Sequence, residues 1–201
     1  MTDGKIINEA LLKCNKLSPD VPLKGLEGLT VGDYWSWAYS NILCNANRSI
    51  LAEYIVGAVL GVVDSPRIEW DAYDLLYNGK KIEVKCSAYL QSWRQLKLSP
   101  IQFDISKKSY FDERTGIGSK VPVRYADCYV FCLYPEKDPC RVDILDIESW
   151  EFYVASKDRI EAELGDQKMV GLSSLKGICG SVKIGELRSR IDAEIYSIVH
   201  S

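Results

Sequence analysis

The sequence predicts an α/β fold, a mixed central β-sheet flanked by helices, and three observations carry that prediction. Helical spacing marks the amino-terminal part, short apolar runs of strand character fill the middle, and helical spacing returns near the carboxyl end. Two of the strand-like runs meet at Asn78-Gly79, the strongest short hairpin signal. With 201 residues, 47% of them hydrophobic and 26% charged, the chain can bury a core without disulfide or metal staples. The expected organisation is one domain over 1–201, with its core motif region at about 48–135.

Taken in order, Ile6, Ala10 and Leu11 give residues 5–16 a helical pattern, and a proline-containing loop follows at 18–22. Thr30 with Asp33 three residues on resembles a capping box, predicting a helix through Tyr34, Trp35, Trp37 and Tyr39. These aromatics are read as core, with lining of a single-strand channel as the lesser alternative. A second helix over 48–60 is expected to be capped by Asn45 or Asn47 and stopped at Gly61. Strands are predicted at 67–77 and 80–87, then near 101–105, 127–134 and 151–155. The polar stretch 106–124, with Gly116 and Gly118, reads as a long loop, and helices return at 157–164 and 185–199.

Bulk properties remove several classes. Against 25 basic residues stand 28 acidic ones, a net charge of −3, so any nucleic-acid partner must be held by a local patch. Seven cysteines at 14, 44, 86, 128, 132, 140 and 179 include no CxxC pair, and the single histidine is His200. That spacing disfavours structural zinc and a cysteine protease, and favours reduced, mostly buried thiols. No phosphate-cradling GxxxxGK[ST] loop for a nucleotide cofactor occurs. The amino terminus lacks a signal-peptide pattern, and the most apolar run, Ile50 to Val63, is short and contains Glu53, so a soluble cytoplasmic protein with no membrane partner is expected.

The chemistry concentrates in the hairpin. If Asn78-Gly79 makes a two-residue turn, Leu76 pairs with Lys81, Leu75 with Ile82 and Asp74 with Glu83, while Tyr73 meets Val84. Side chains alternate along each strand, so Tyr73, Leu75, Ile82 and Val84 form an apolar face, and Asp74, Glu83 and Lys85 share the other. Two carboxylates directly opposed across strands repel, at about 0.2–1 kcal/mol, unless a divalent cation joins them. Mg²⁺ suits such a pair because it takes one or two carboxylates and fills its remaining positions with water and phosphate oxygens; Mn²⁺ can substitute. Lys85, roughly 7 Å along the strand from Glu83 by the usual rise, would orient the nucleophile and stabilise developing charge.

Glu53 is the one charge in an otherwise apolar helix, so it needs a partner: a metal or water shell, or a cation such as Arg48 or Lys85. A catalytic role and a plain structural ion pair both remain open for it.

A helix bearing Glu53, a strand bearing Asp74 and a strand bearing Glu83-Val84-Lys85 resemble the PD-(D/E)XK nuclease superfamily over roughly residues 48–95. The resemblance implies a restriction-endonuclease-like core with added helices and Mg²⁺-dependent hydrolysis of phosphodiester bonds in nucleic acid. It adds the Val84 carbonyl to Asp74 and Glu83 as metal ligands. Tyr73 stands where the superfamily has its proline, which carries no chemistry. Asp71 competes with Asp74 for the acidic position, and the hairpin count favours Asp74 unless a β-bulge intervenes.

Beyond the motif, Gln91, Ser87, Arg94 and Arg48 are candidates for contacts to substrate, with helix capping as the alternative for Arg48 and its neighbours. Tyr89 and Trp93 are read as core before base stacking. Arg114, Lys107, Lys108 and Lys120 are candidates to grip a phosphate backbone, against ordinary solvated charge. The leading expectation is a DNA endonuclease of a restriction, defence or DNA-processing type, for which cutting both strands would favour a homodimer. The alternatives are a non-cleaving nucleic-acid-binding or scaffold module of the same fold, and a nuclease acting on RNA or branched DNA.

Overall fold

A computed structural model describes residues 15–69, 72–112 and 117–197. Its central sheet has the order β1-β2-β6-β7-β9, with β1 at Leu75–Tyr77, β2 at Lys80–Ala88, β6 at Cys128–Tyr134, β7 at Glu151–Ser156 and β9 at Ser181–Val182. β2 and β6 run parallel and the other neighbours antiparallel, so the sheet is mixed as the sequence implies. The run Cys-Tyr-Val-Phe-Cys-Leu-Tyr of β6 is buried throughout, as a central strand covered on both faces must be.

The alternation of that strand divides the interior in two. Cys128, Val130 and Cys132 join Ile82, Val84, Phe152 and Val154 on one face, packed by helices α2 (Asn45–Leu60) and α5 (Ile184–Ser197). Tyr129, Phe131 and Leu133 face the opposite way with Phe103, Tyr153 and Val170, under α3 (Lys157–Leu164) and α4 (Leu172–Ile178). On that second side β3 (Gln102–Asp104) pairs with β8 (Met169–Gly171).

The hairpin register agrees with the turn chemistry. Asn78 and Gly79 take φ of 49° and 74°, the left-handed pair that a tight hairpin turn requires. Leu75 pairs with Ile82, Leu76 with Lys81 and Tyr77 with Lys80. Ile82 and Val84 anchor β2 in the core, and each such side chain contributes about 1.5–3 kcal/mol when fully buried. A one-residue slip would exchange them for Glu83 and Lys85, so the register that aims the two charges is fixed by the two aliphatics.

The capping box at Thr30 opens α1 (Val31–Tyr39) as predicted, with the Asp33 carboxylate accepting the Thr30 N–H at 2.8 Å. Gly61 ends α2 with φ 75°. Elsewhere the structure corrects the expectation. α2 starts at Asn45 with Cys44 in the capping position, and Asn47 instead donates to the carbonyls of Ala38 and Asn41, tying α2 to the end of α1. Trp35, Trp37 and Tyr39 do not fill the core, and Trp37 is 85% exposed. Trp93 is likewise exposed, whereas Tyr89 packs on the second core.

The strand expected at 67–77 is only three residues long. The stretch read as a loop at 106–124 contains a two-stranded ribbon, β4 (Lys108–Asp112) with β5 (Ile117–Val123). That ribbon pairs only with itself, so it lacks the sustained apolar alternation by which sheet strands announce themselves. The helix expected at 5–16 falls on residues outside those described, apart from 15 and 16, which are not helical. Cys14, Asp71, Arg114 and His200 also lie outside them.

Six cysteines are free thiols, with Cys128, Cys132 and Cys179 buried, Cys44 and Cys86 half-buried and Cys140 exposed. Among the described residues no helix is long and apolar enough to cross a membrane.

Candidate active site

β2 projects Glu83 and Lys85 from the face opposite Ile82 and Val84, toward the side of the sheet that carries Tyr129. Asp74 joins them by a route other than the expected pairing. The ladder with β2 stops at Leu75, and the Asp74 N–H reaches the Ile82 carbonyl at 3.1 Å. Its carboxylate Oδ2 accepts the Val84 N–H at 2.6 Å. Asp74 thus does not lie opposite Glu83 in the register; its own side chain takes a backbone donor on β2 and closes the end of the hairpin. The bend also turns Tyr73 away from Val84, so that its ring lies 6.3 Å from that of Tyr125 with Lys81 nearby.

Asp74, Glu83 and Lys85 line one cleft of about 370 Å³. Burial, reinforced by the charges of Glu83 and Glu53, pushes the Asp74 carboxyl up to about 7, against the opposing pull of the Val84 N–H and Lys85. Glu83 Oε1 forms an ion pair with the Lys85 ammonium. Burial works to lower the Lys85 pKa, but Glu83, with Asp74 and Asp104 behind it, outweighs burial and leaves it raised. The cleft therefore contains a firmly protonated lysine and a cluster of acids whose mutual repulsion one lysine does not fully relieve.

Glu53 sits on the other side of Asp74. It borders a separate cavity of about 270 Å³ that also touches Asp74. Both its oxygens are held by Arg67, one by Nε and one by Nη2 at 2.9 Å. The partner of Glu53 is thus a residue the sequence did not single out, rather than Arg48 or Lys85.

Arg48 and Gln91 meet each other. The Gln91 Oε1 accepts both Arg48 Nη groups at 3.3 Å, while Arg48 also bonds the Leu43 carbonyl at 2.6 Å and the Asn45 side chain. Gln91 in turn donates to the Ala88 carbonyl at 2.8 Å. These bonds brace the start of α2 against the end of β2, and neither residue lines the cleft. Ser87 is buried on β2 and Arg94 is exposed in the following loop, both likewise outside the cleft lining.

Residues 36–170 match the family model described as Bacteriophage T4 endonuclease IV, a span of more than half the chain. The chain belongs to the bacteriophage T4 endonuclease IV family. Membership in an endonuclease family makes the chain a nuclease. No curated protein and no solved structure matches it. The span matched by the endonuclease IV family contains α2, the hairpin and every residue of the cleft.

Several cleft residues inside that family span carry no signal the sequence reading used, among them Asp104, Ser106, Arg124 and Tyr129. Asp104 Oδ1 accepts the Ser106 N–H at 2.9 Å, and Oδ2 pairs with Lys108 at 2.6 Å. Burial acts to raise the Asp104 pKa, but the bonds from Lys108 and Ser106 together bring it down to about 2. Burial, with Glu83 adding to it, raises the Tyr129 phenol. Arg124 carried a usable signal: it is a lone charge between Val123 and Tyr125-Ala126, the same anomaly that drew attention to Glu53.

Proposed function

We propose that this nuclease is a Mg²⁺-dependent DNA endonuclease of the PD-(D/E)XK type, hydrolysing phosphodiester bonds in the cleft lined by Asp74, Glu83 and Lys85. The supporting observation is that these three side chains, recognised by their spacing, border one cleft within the family-matched span.

The donor set fits Mg²⁺. Among the described residues no group of three or more His, Cys, Asp and Glu side chains could hold a metal, so an all-protein cage is not what the site offers. Two carboxylates are what it offers, and Mg²⁺ accepts so few because it keeps waters and takes substrate oxygens. A cation between Asp74 and Glu83 would also offset the burial and the carboxylate repulsion that raise Asp74. Val84 donates its N–H to Asp74, and a strand residue directs its N–H and carbonyl to the same edge, which supports the Val84 carbonyl as a further ligand. The bound metal would lower the pKa of a coordinated water and draw charge from the phosphate.

The chain's own residues do the rest. Asp74 and Glu83 would hold the cation, with Glu83 keeping Lys85 on Oε1. Lys85, protonated at Nζ, donates to a phosphate oxygen and stabilises charge as it develops there. Glu53, neutralised by Arg67, acts on Asp74 through the field it contributes rather than as a ligand.

The test is a cleavage assay on supercoiled, linear, single-stranded and branched DNA, and on RNA, with Mg²⁺, Mn²⁺ or EDTA. Cutting of DNA with either metal and none in EDTA is expected, and Asp74→Ala should lose both cutting and calorimetric Mg²⁺ binding. Metal-independent cutting, or Mg²⁺ binding that ignores Asp74→Ala, contradicts the proposal.

A further inference from the structure

Arg124 is 2% exposed, yet it lines the same cleft as the carboxylates. Two of its nitrogens are spent on neutral partners: Nε donates to the Ile105 carbonyl at 2.8 Å and Nη2 to the Gln167 carbonyl at 3.0 Å. These bonds use the side edge of the guanidinium and fix its plane. Nη1 is buried and has no hydrogen-bond partner among the described residues. A buried guanidinium whose neighbours are carbonyls, without an ion-paired carboxylate among the described residues, is a costly arrangement unless an anion completes it.

Arg48 provides the control within the same molecule. It is equally buried and also has an unpartnered nitrogen, Nε, but both its Nη groups are taken up by Asn45, Leu43 and Gln91, and it does not line the cleft. In Arg48 the end edge of the fork is consumed internally. In Arg124 it is Nη1, on the end edge, that remains.

We infer that Arg124 is a phosphate-holding residue of the active cleft: its free guanidinium edge, with Lys108 at the rim, takes the oxygens of a substrate phosphodiester on the side facing Asp74 and Glu83. This rests on the nuclease reading of the cleft and names the group that orients its substrate. An arginine fork matches two phosphate oxygens at once, and a guanidinium already locked by backbone carbonyls loses little freedom on binding. Shielded from solvent, its charge acts where the dielectric is low, so it attracts an incoming oxyanion more strongly than an exposed arginine would. The Lys108 ammonium rests on Asp104 in a largely exposed pair that solvent screens, and it can turn to the phosphate at small cost.

Equilibrium binding of a short fluorescent oligodeoxynucleotide in EDTA, where nothing is cut, tests the subsite, with inorganic phosphate as competitor. Arg124→Lys keeps the charge and loses the fork, and should weaken oligonucleotide binding by about ten-fold, with inorganic phosphate competing less well than against wild type. Lys108→Ala should weaken binding by a few-fold and flatten its salt dependence. Asp104→Asn, whose side chain bonds Ser106 and Lys108 and not Arg124, releases Lys108 and removes a negative charge, and should tighten binding a few-fold.

A melting curve accompanies each protein. If Arg124→Lys does not fold, Asp104→Asn and Lys108→Ala decide the matter, and wild-type affinity in both overturns the subsite. A folded Arg124→Lys that binds oligonucleotide as wild type does also overturns it, as does phosphate that binds without displacing the oligonucleotide. Oligonucleotide binding that depends on Arg124 in a protein that cuts nothing with Mg²⁺ would sink the nuclease reading and leave this subsite standing. Cutting and binding by Arg124→Lys at wild-type levels would do the reverse.

Discussion

Asp74 stands between two cavities that look alike in outline and differ in chemistry. On one side Glu83 is paired with Lys85, on the other Glu53 is paired with Arg67. The Glu83 pair is monodentate and lies on a strand whose register is locked by Ile82 and Val84. The Glu53 pair is bidentate, so both carboxylate oxygens are used, and its cation comes from the segment between α2 and the hairpin. A carboxylate with both oxygens given to an arginine has little left for a metal. One with a free oxygen beside a protonated lysine still has chemistry to offer. That difference is why the reaction is proposed for the first cavity and a supporting role for the second.

The largest effect should separate the two glutamates. Glu83→Gln is expected to lower the DNA cleavage rate by about 10²–10³-fold, and Glu53→Gln by less than about ten-fold, measured as single-turnover rates in Mg²⁺. Equal losses would erase the distinction.

Next comes the charge on Asp74 itself. Its folded pKa is raised to about 7 from an ordinary carboxylate value, so the metal-free fold is favoured by keeping it protonated. Stability from this group is fully present below about pH 4 and is lost as the pH rises toward 7. Asp74→Asn in EDTA should therefore be more stable than wild type above pH 7, on the order of a few kcal/mol, with the gap closing at acid pH. Urea titrations across that range read it directly. Addition of Mg²⁺ should stabilise wild type and not the variant.

A smaller effect tests how α2 brings Glu53 to Asp74. A Cβ on Gly57 would come within 2.6 Å of Val63 Cγ1 and 3.2 Å of Leu75 Cδ2. Gly57→Ala should cost about 1–3 kcal/mol through overpacking against a stiff valine, and should perturb cutting only as far as β1 shifts. Smallest of all, Arg67→Ala leaves Glu53 unpaired. Because Arg67 is about a third exposed, with 36% side-chain accessibility, the loss should be only about 1–2 kcal/mol after solvent screening. Melting curves of the two variants rank the terms.

The parts of this fold legible in the sequence are those set by local rules. The Asn78-Gly79 turn, the alternation of Ile82 and Val84 with Glu83 and Lys85, the Thr30–Asp33 box and the Gly61 stop all depend on a few neighbouring residues. The point where pairing ends is not local. It depends on the Asp74 carboxylate taking the Val84 N–H, a choice that alternation cannot express. Tyr73 accordingly lies beside Tyr125 and Lys81 and not on the apolar face that alternation predicts for it.

The self-paired ribbon of β4 and β5 was hidden because no sheet face demands an apolar pattern of it. The exposed aromatics of α1 followed the rule for core residues and broke it. For the site, the acid and lysine positions come from spacing alone. Arg124 and Asp104 arrive from distant segments and Arg67 from the stretch between α2 and the hairpin, and only the tertiary fold sets them on either side of Asp74.

In the proposed mechanism Lys85 acts on the substrate while the two acids hold the cation. The most direct measurement is the rate at which Lys85→Ala cuts DNA in Mg²⁺, alongside its calorimetric Mg²⁺ affinity. Cutting should fall by about 10²–10³-fold while the metal is still bound. Cutting at the wild-type rate would contradict it.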